Sequence, residues 1–277
     1  VIDLASHFKG FPPEVLDKVR VGGGVSSEFA YWFNRYSSFK HVGRVNRVVK
    51  FRAKKGADVH FGEFMHAHYP AVAFNAYSLT HLNKDSAYAS LTKYDKAEYD
   101  FDSKAWAFAW ARVDAMFTPF VQNTRMAGMD EVITNLNMRS SSGFPYNLCW
   151  RSKKQFFEWS GAKAECERIE RSYHTIDPIR ALWTNNPKEE ILPKLKILNN
   201  KFRTFLSPDV PHVVTHNMLF LMQNSAICES HLKHFSFVGG SKFYGGWNRI
   251  FRILDRLPNK FMFDASTWDA NLSSRLL

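Results

Sequence analysis

Two carboxylates, Asp264 and Asp269, stand close together in the run Lys260-Phe-Met-Phe-Asp264-Ala-Ser-Thr-Trp-Asp269-Ala-Asn-Leu-Ser-Ser274. A carboxylate at the end of an apolar stretch and beside a loop is a hard oxygen donor. Such a group can hold Mg²⁺ against a phosphate, the ion keeping waters and substrate oxygens as its other ligands. Asp269 falls in a turn rich in Ser, Thr and Asn, where a carboxylate can equally cap the helix that follows. A second group is cationic: Lys188, Lys194, Lys196, Lys201 and Arg203 share one run with Glu190, which could orient one of the bases. Cations at that density suit a triphosphate or a phosphate backbone, and Arg203 can bind two oxygens at once. A solvated basic face accounts for the same residues. A third group is Ser140, Ser141, Ser142, Gly143 and Pro145 in Asn137-Met-Arg139-Ser-Ser-Ser-Gly143-Phe-Pro145-Tyr146. Hydroxyls and backbone N–H groups of a rigid loop can meet a nucleic-acid backbone, though an ordinary structured turn has the same composition.

These groups need elements to hold them. Lys260 to Asp264 reads as a short buried strand that delivers Asp264 at its end. Lys194 and Lys196 are two apart, as are Lys201 and Arg203, so in extended chain each pair shares a face. With Asn199-Asn200 as the turn, the stretch 188–205 is predicted to be a basic hairpin. Ser103 is placed to cap a helix running to about Phe117, with Trp106, Ala109, Trp110, Val113 and Phe117 facing a core and Pro119 ending it. A short helix is predicted near Met129 to Asn135, and a basic, then amphipathic, helical segment over 151–173. Val42 to Phe51 reads as a basic strand that Lys54-Lys55-Gly56 turns towards Asp58 to Phe61 as a hairpin. His60, His66 and His68, with Glu63 between them, do not complete a zinc-binding spacing.

Composition narrows the class of partner. The 277 residues are 45% hydrophobic and 23% charged, which is ordinary for a globular chain. A net charge of +11 favours a polyanion, nucleic acid first and acidic membrane second. Aromatic residues make up 16%, which suits base stacking and a large core equally. Cys149, Cys166 and Cys228 lack metal-ligand spacing and read as reduced thiols. No apolar run approaches the ~18 residues of a membrane span, and no signal-peptide pattern opens the chain. Both ends read as cut, so the chain is expected to be a piece of a longer polypeptide.

In their order and spacing, these stretches resemble the RNA-dependent RNA polymerases of positive-strand RNA viruses, the picornavirus-like group most closely. Ser-Ser-Gly-Phe-Pro-Tyr at 141–146 is similar to the family's template-guiding loop, motif G. The run Lys188 to Arg203 is similar to motif F, with Asn199-Asn200 where the family often has Gly. Phe263-Asp264 to Asp269-Ala-Asn-Leu-Ser273 is similar to motif A, and Val238 to Trp247 to the glycine-rich lead-in before it. The resemblance covers roughly 137–274.

The resemblance implies an α+β, right-hand polymerase fold, of which the chain holds the fingers and the first strand of the palm, truncated before the rest of the palm and the thumb. The expected division is an N-terminal region at 1–100, fingers at 101–259 with a template loop at 139–146 and the basic hairpin at 188–205, and the start of the palm at 260–277. The implied function is RNA-templated RNA synthesis, nucleotidyl transfer from an NTP to a primer 3′-hydroxyl during viral genome replication and transcription. Asp264 would bind metal in a two-metal site using Mg²⁺ or Mn²⁺, one ion activating the hydroxyl and the other stabilising the pyrophosphate. Asp269 would sense the ribose 2′-hydroxyl. Lys188, Lys194, Lys196, Lys201 and Arg203 would offset triphosphate charge, Arg203 foremost. Ser140, Ser141, Ser142, Gly143 and Pro145 would guide the template. The implied partners are template and product RNA, NTPs and the rest of a viral polyprotein. The implied setting is the host cytoplasm, at replication complexes. The family's Gly-Asp-Asp motif and the Ser-Gly-containing helix motif before it are absent, so the site would be completed by residues outside the chain, and the 277 residues alone are expected to polymerise nothing. A non-catalytic RNA-binding module fits charge and aromatics alone. A reverse transcriptase also begins its palm with a strand-borne aspartate, but places a bulky apolar gate where Asp269 stands.

Overall fold

The structure, a computed structural model, describes residues 10–18, 21–22, 44–45, 59–69, 76–80, 102–188, 190–199, 201 and 203–264. In chain order its elements are α1 (Pro13–Leu16), β1 (Val21–Gly22), β2 (Arg44–Val45), α2 (Val59–His68), β3 (Tyr77–Leu79), α3 (Ser103–Val121), α4 (Met129–Asn135), α5 (Lys153–Glu158), α6 (Ala162–Ser172), β4 (Thr184–Pro187), β5 (Ile191–Pro193), α7 (Lys194–Leu198), β6 (Thr204–Ser207), α8 (Val210–Glu229) and α9 (Gly246–Asp255). Contacts sort the chain into two units. The first comprises Val1–Lys96, Gly143–Cys149 and Leu182–Ser207; the second comprises Ala97–Ser142, Trp150–Ala181 and Pro208–Leu277.

The first unit is held by short antiparallel ladders. β1 pairs with β2, β3 with β5 (Ser78 opposite Leu192), and β4 with β6 (Asn186 opposite Phe205). Pro13 starts α1, where a missing N–H costs nothing because the first turn has no partner for it. Phe11 and Val15 are buried there, and the Phe11 ring sits 5.6 Å from that of Tyr146, itself fully buried. Of the hairpin expected between Val42–Phe51 and Asp58–Phe61, residues 42–43 and 46–58 lie outside the described residues, and 59–61 are helical rather than extended. The described partner of β2 is β1, and Val59 opens α2 instead. The helix-favouring Glu63, Met65 and Ala67 extend the window well past the short alternation at 58–61, so the helical period wins.

The second unit is built on α8, against which α3, α4 and α6 pack. The sequence of α6 buries Ala162, Glu165, Cys166, Ile169 and Ser172, spaced three or four apart and hence on one face. Val132 of α4, Phe156 of α5, and Val210 and Val214 of α8 complete that core. A buried aromatic such as Phe156 contributes roughly 3–5 kcal/mol relative to alanine. Glu165 is tolerated inside because the Arg168 guanidinium clasps both its oxygens at 2.7 Å. Burial pushes the Cys166 thiol up to about 12, so it packs as a neutral group.

Four expectations in this unit are corrected. α3 is capped by Asp102, whose Oδ1 accepts from the N–H groups of Lys104 (2.9 Å) and Ala105 (3.2 Å), rather than by Ser103. The helix also runs through Pro119, which removes one ladder bond without ending it. None of its residues is buried: Trp106 and Phe117 are half-buried, while Ala109, Trp110 and Val113 are exposed. Phe117 instead meets His234 and Phe235, at ring separations of 5.0 and 5.3 Å. Finally, the stretch 260–264 is not a buried strand. Phe261, Met262 and Phe263 are 80, 97 and 91% exposed. A strand exists only through a ladder to a neighbour, and no described segment pairs with this one.

Candidate functional site

The cationic run lies in the first unit, and its backbone departs from the predicted hairpin. Lys188 N–H donates to the Arg203 carbonyl at 2.9 Å, extending the β4–β6 ladder by one pair. Between those ends the chain forms β5, pairs with β3, and then turns into α7. Lys194 and Lys196 are therefore helical rather than extended, and two helical residues about 200° apart do not share a face. Lysine and leucine at 194–198 are good helix formers after Pro193, and the turn buries Ile197. Asn199, half of the expected turn, ends the helix at φ −88°, and Asn200 lies outside the described residues. Lys201 N–H closes the turn onto the Lys196 carbonyl at 2.8 Å. Lys188, Lys194, Lys196, Lys201 and Arg203 are all exposed.

Within this run Glu190 and Arg203 form the most ordered charged pair. Arg203 Nε donates to both carboxylate oxygens at 2.9 and 3.0 Å, and a second guanidinium nitrogen bonds Glu190 Oε2. The Arg203 hydrogen bond holds the Glu190 carboxyl below the usual carboxylate range. Burial opposes this, and the charges of Arg203, Lys188 and Lys196 assist. Arg203 is correspondingly held above its ordinary value by Glu190. Thr80 fixes the backbone beneath: its N–H donates to the Glu190 carbonyl (2.9 Å), its hydroxyl donates to the Lys188 carbonyl (2.9 Å), and the hydroxyl accepts from Glu190 N–H (3.1 Å). Nothing local in the sequence marks Thr80 for this role, since it lies 108 residues from Lys188.

The hydroxyl-rich loop falls in both units. In the second, Ser142 is fully buried and its hydroxyl donates to the Trp150 carbonyl. The Ser142 carbonyl accepts from Val210 N–H at 2.8 Å. Ser141 bridges Ser152, and the Ser140 and Met138 carbonyls accept from Lys153 N–H (2.8 Å) and Lys154 N–H (3.0 Å). The Ser140 hydroxyl donates to the Asn137 carbonyl at 2.7 Å. That leaves Arg139 and Ser141 as the exposed side chains of the turn, with Ser140 half-buried. In the first unit, Gly143 takes φ +77°, a conformation that side chains disfavour, and Pro145 is buried beside Tyr146. Sequence reading missed the partners Trp150 and Val210. The one available signal was Asp209 just before a helix opening on Val-Pro, an N-cap pattern.

Asp264 is exposed, and Asp269 lies outside the described residues. A carboxylate is the right donor type for Mg²⁺ or Mn²⁺. Among the described residues, however, no group of three or more His, Cys, Asp or Glu could hold a metal ion. Among the described residues Asp264 thus offers one ligand. His60, His66 and His68 lie on α2 and are exposed. No helix of the described residues is long and apolar enough to cross a membrane.

Comparisons with known proteins bear on all three groups. The family model described as viral RNA-dependent RNA polymerase matches residues 60–277. The genome polyprotein of Bean yellow mosaic virus is 28% identical over 215 residues, covering 73% of this chain and 7% of that protein. The genome polyprotein of Bean common mosaic necrosis virus (strain NL-3) is 26% identical over 247 residues, covering 83% and 8%. The chain therefore spans less than a tenth of the length of these curated relatives. Among solved structures, the Sicinivirus 3Dpol RNA dependent RNA polymerase is similar with a TM-score of 0.52 and 17% identity, over 65% of this chain and 41% of that one. At that identity the likeness is one of fold, a right-hand polymerase fold over part of the chain.

Proposed function

Because the chain belongs to the viral RNA-dependent RNA polymerase family, we propose that it carries the nucleotide-entry and template-guiding parts of an enzyme that makes RNA on an RNA template. The observation that carries this reading is the exposed cluster Lys188, Lys194, Lys196, Lys201 and Arg203, with Arg203 held on Glu190, inside the matched span. On this reading 101–259 are fingers, 260–277 open the palm, and 1–100 precede the fingers. The wider polyprotein, template and product RNA, and NTPs are the partners, and replication complexes in the host cytoplasm are the setting. The family match favours a polymerase over a bare RNA-binding module or a reverse transcriptase.

The chemistry assigned to this chain is positioning and charge compensation. Lysines at 188, 194, 196 and 201 draw in a nucleoside triphosphate, and Arg203, oriented by Glu190, faces its phosphate oxygens in fixed geometry. Asp269 accepts a hydrogen bond from the ribose 2′-hydroxyl and so favours ribonucleotides. The exposed Ser141 and Arg139 contact the template backbone. Asp264 would donate one oxygen to a two-metal site, in which one ion would lower the pKa of the attacking hydroxyl and the other would offset charge on the leaving pyrophosphate. The test is Asp264→Asn in the complete polymerase chain, measuring nucleotide incorporation and RNA affinity together. Incorporation should be abolished while RNA affinity stays within error. Incorporation at the wild-type rate would overturn the reading.

A further inference from the structure

Asp209 and His212 are 0 and 1% exposed at the start of α8, and the proposed chemistry uses neither. His212 Nδ1 lies 2.6 Å from Asp209 Oδ1, and Nε2 lies 2.9 Å from the Ile179 carbonyl oxygen. Both partners are acceptors. A neutral imidazole has one N–H and would leave one acceptor facing a lone pair; the imidazolium satisfies both. Burial on its own pushes the ring towards neutrality. The hydrogen bond and charge of Asp209, with the Ile179 carbonyl, outweigh it and hold His212 above its ordinary value. Arg168 on α6 opposes this protonation, but its guanidinium is engaged by Glu165. The remaining titratable neighbours, Cys166 and Tyr173, are themselves pushed up, so both stay neutral near pH 7.

The pair is wired to the loop by backbone. Asp209 Oδ1 also accepts from His212 N–H at 3.1 Å, fixing the first turn of α8. The adjacent Val210 N–H, free of any intrahelical acceptor at this position, holds the Ser142 carbonyl at 2.8 Å. We propose that Asp209 and His212 form a buried ion pair that positions the Ser140–Ser142 turn for the template strand, with His212 a positioning residue. This rests on reading that turn as an RNA contact. A merely structural cap would need the Asp209 oxygen but not its charge, because asparagine caps a helix as well as aspartate does. Charge is what the pair adds, and it makes the turn sensitive to pH. The pair is fully formed below the ordinary histidine value of 6.5 and is lost as pH rises through the raised one.

The complete polymerase chain is compared with its Asp209→Asn variant. Amide exchange at Val210 is followed against pH, with the ring ¹⁵N shifts of His212 and affinity for a single-stranded RNA oligonucleotide. In the parent chain both ring nitrogens should be protonated at neutral pH, and Val210 protection should fall as His212 deprotonates. In Asp209→Asn, Val210 protection should drop by about tenfold or more, its pH midpoint should move down, and RNA affinity should weaken several-fold while KM for the nucleotide stays put. A neutral His212 ring in the parent chain, or unchanged Val210 protection in the variant, overturns the ion pair. Lost protection with unchanged RNA affinity overturns the positioning role, because the turn then does not contact template. The titration of the parent chain decides the first point even if the variant does not fold.

Discussion

The cationic run 188–203 keeps its functional side chains in water, whereas the turn 137–152 buries the Ser142 hydroxyl and is stitched by backbone. In the first region Lys188, Lys194, Lys196, Lys201 and Arg203 are all exposed, and order comes from one carboxylate and from Thr80 beneath it. In the second, Ser142 is spent on the Trp150 carbonyl and on Val210 N–H, leaving Ser141 and Arg139 at the surface. Residues of the first kind can be removed with little effect on folding, since exposed charges contribute little to stability. Residues of the second kind hold shape, so their loss is felt in folding before it is felt in binding.

The largest expected effect breaks the first region without touching the fold. Arg203→Ala in the complete chain should lower nucleotide incorporation by about a hundredfold, the usual scale for removing one preorganised electrostatic group, with only a slight fall in the urea midpoint from the lost Glu190 pair. Arg203→Lys should recover only part of it, because an ammonium cannot reproduce the two-pronged contact with Glu190. A large fall in the urea midpoint for Arg203→Ala would erase the contrast between the regions.

The next effect should appear in the opposite column. Ser142→Ala leaves the half-buried Trp150 carbonyl without its donor and should cost about 1–3 kcal/mol of unfolding free energy. The exposed Ser141→Ala should stay within about 0.5 kcal/mol. If the two serines behaved alike in urea unfolding, the turn would not be the buried construction described above.

How much of this was legible depends on range. α4 was readable to the residue because seven consecutive positions carry its pattern and its cap residues are local. α3 was readable as a helix but not in its ends, since Asp102 outcompetes Ser103 for the first turn and one proline is a weak stop. The cationic residues were legible as a set. Their backbone was not, because Lys194 and Lys196 satisfy period two while the burial of Ile197 selects a helix. The strand read at 260–264 failed for a related reason: apolar residues announce burial, but only a pairing neighbour makes a strand. The Thr80 contact was least legible, as its partner Lys188 lies 108 residues away, and the Asp209–His212 pair needed Ile179, 33 residues away. Local signals fix elements; contacts of that separation must be seen.

The smallest expected effect concerns whether Glu190 belongs to the first region as an orienting group or only as a neighbour. Its carboxyl is held below the ordinary 4.5 by the Arg203 hydrogen bond. A carboxylate with a lowered folded-state pKa stabilises fully above its unfolded value, and that contribution disappears as pH falls through the lowered one. In Glu190→Gln the contribution is missing at every pH. The Tm of the variant should therefore lie slightly below the parent's at pH 7, and the two curves should converge as the pH drops below about 4.5. A constant offset down to strong acid would mean that shape and not charge ties Glu190 to its surroundings, and Arg203 would then be oriented by the backbone pairing of Lys188 alone.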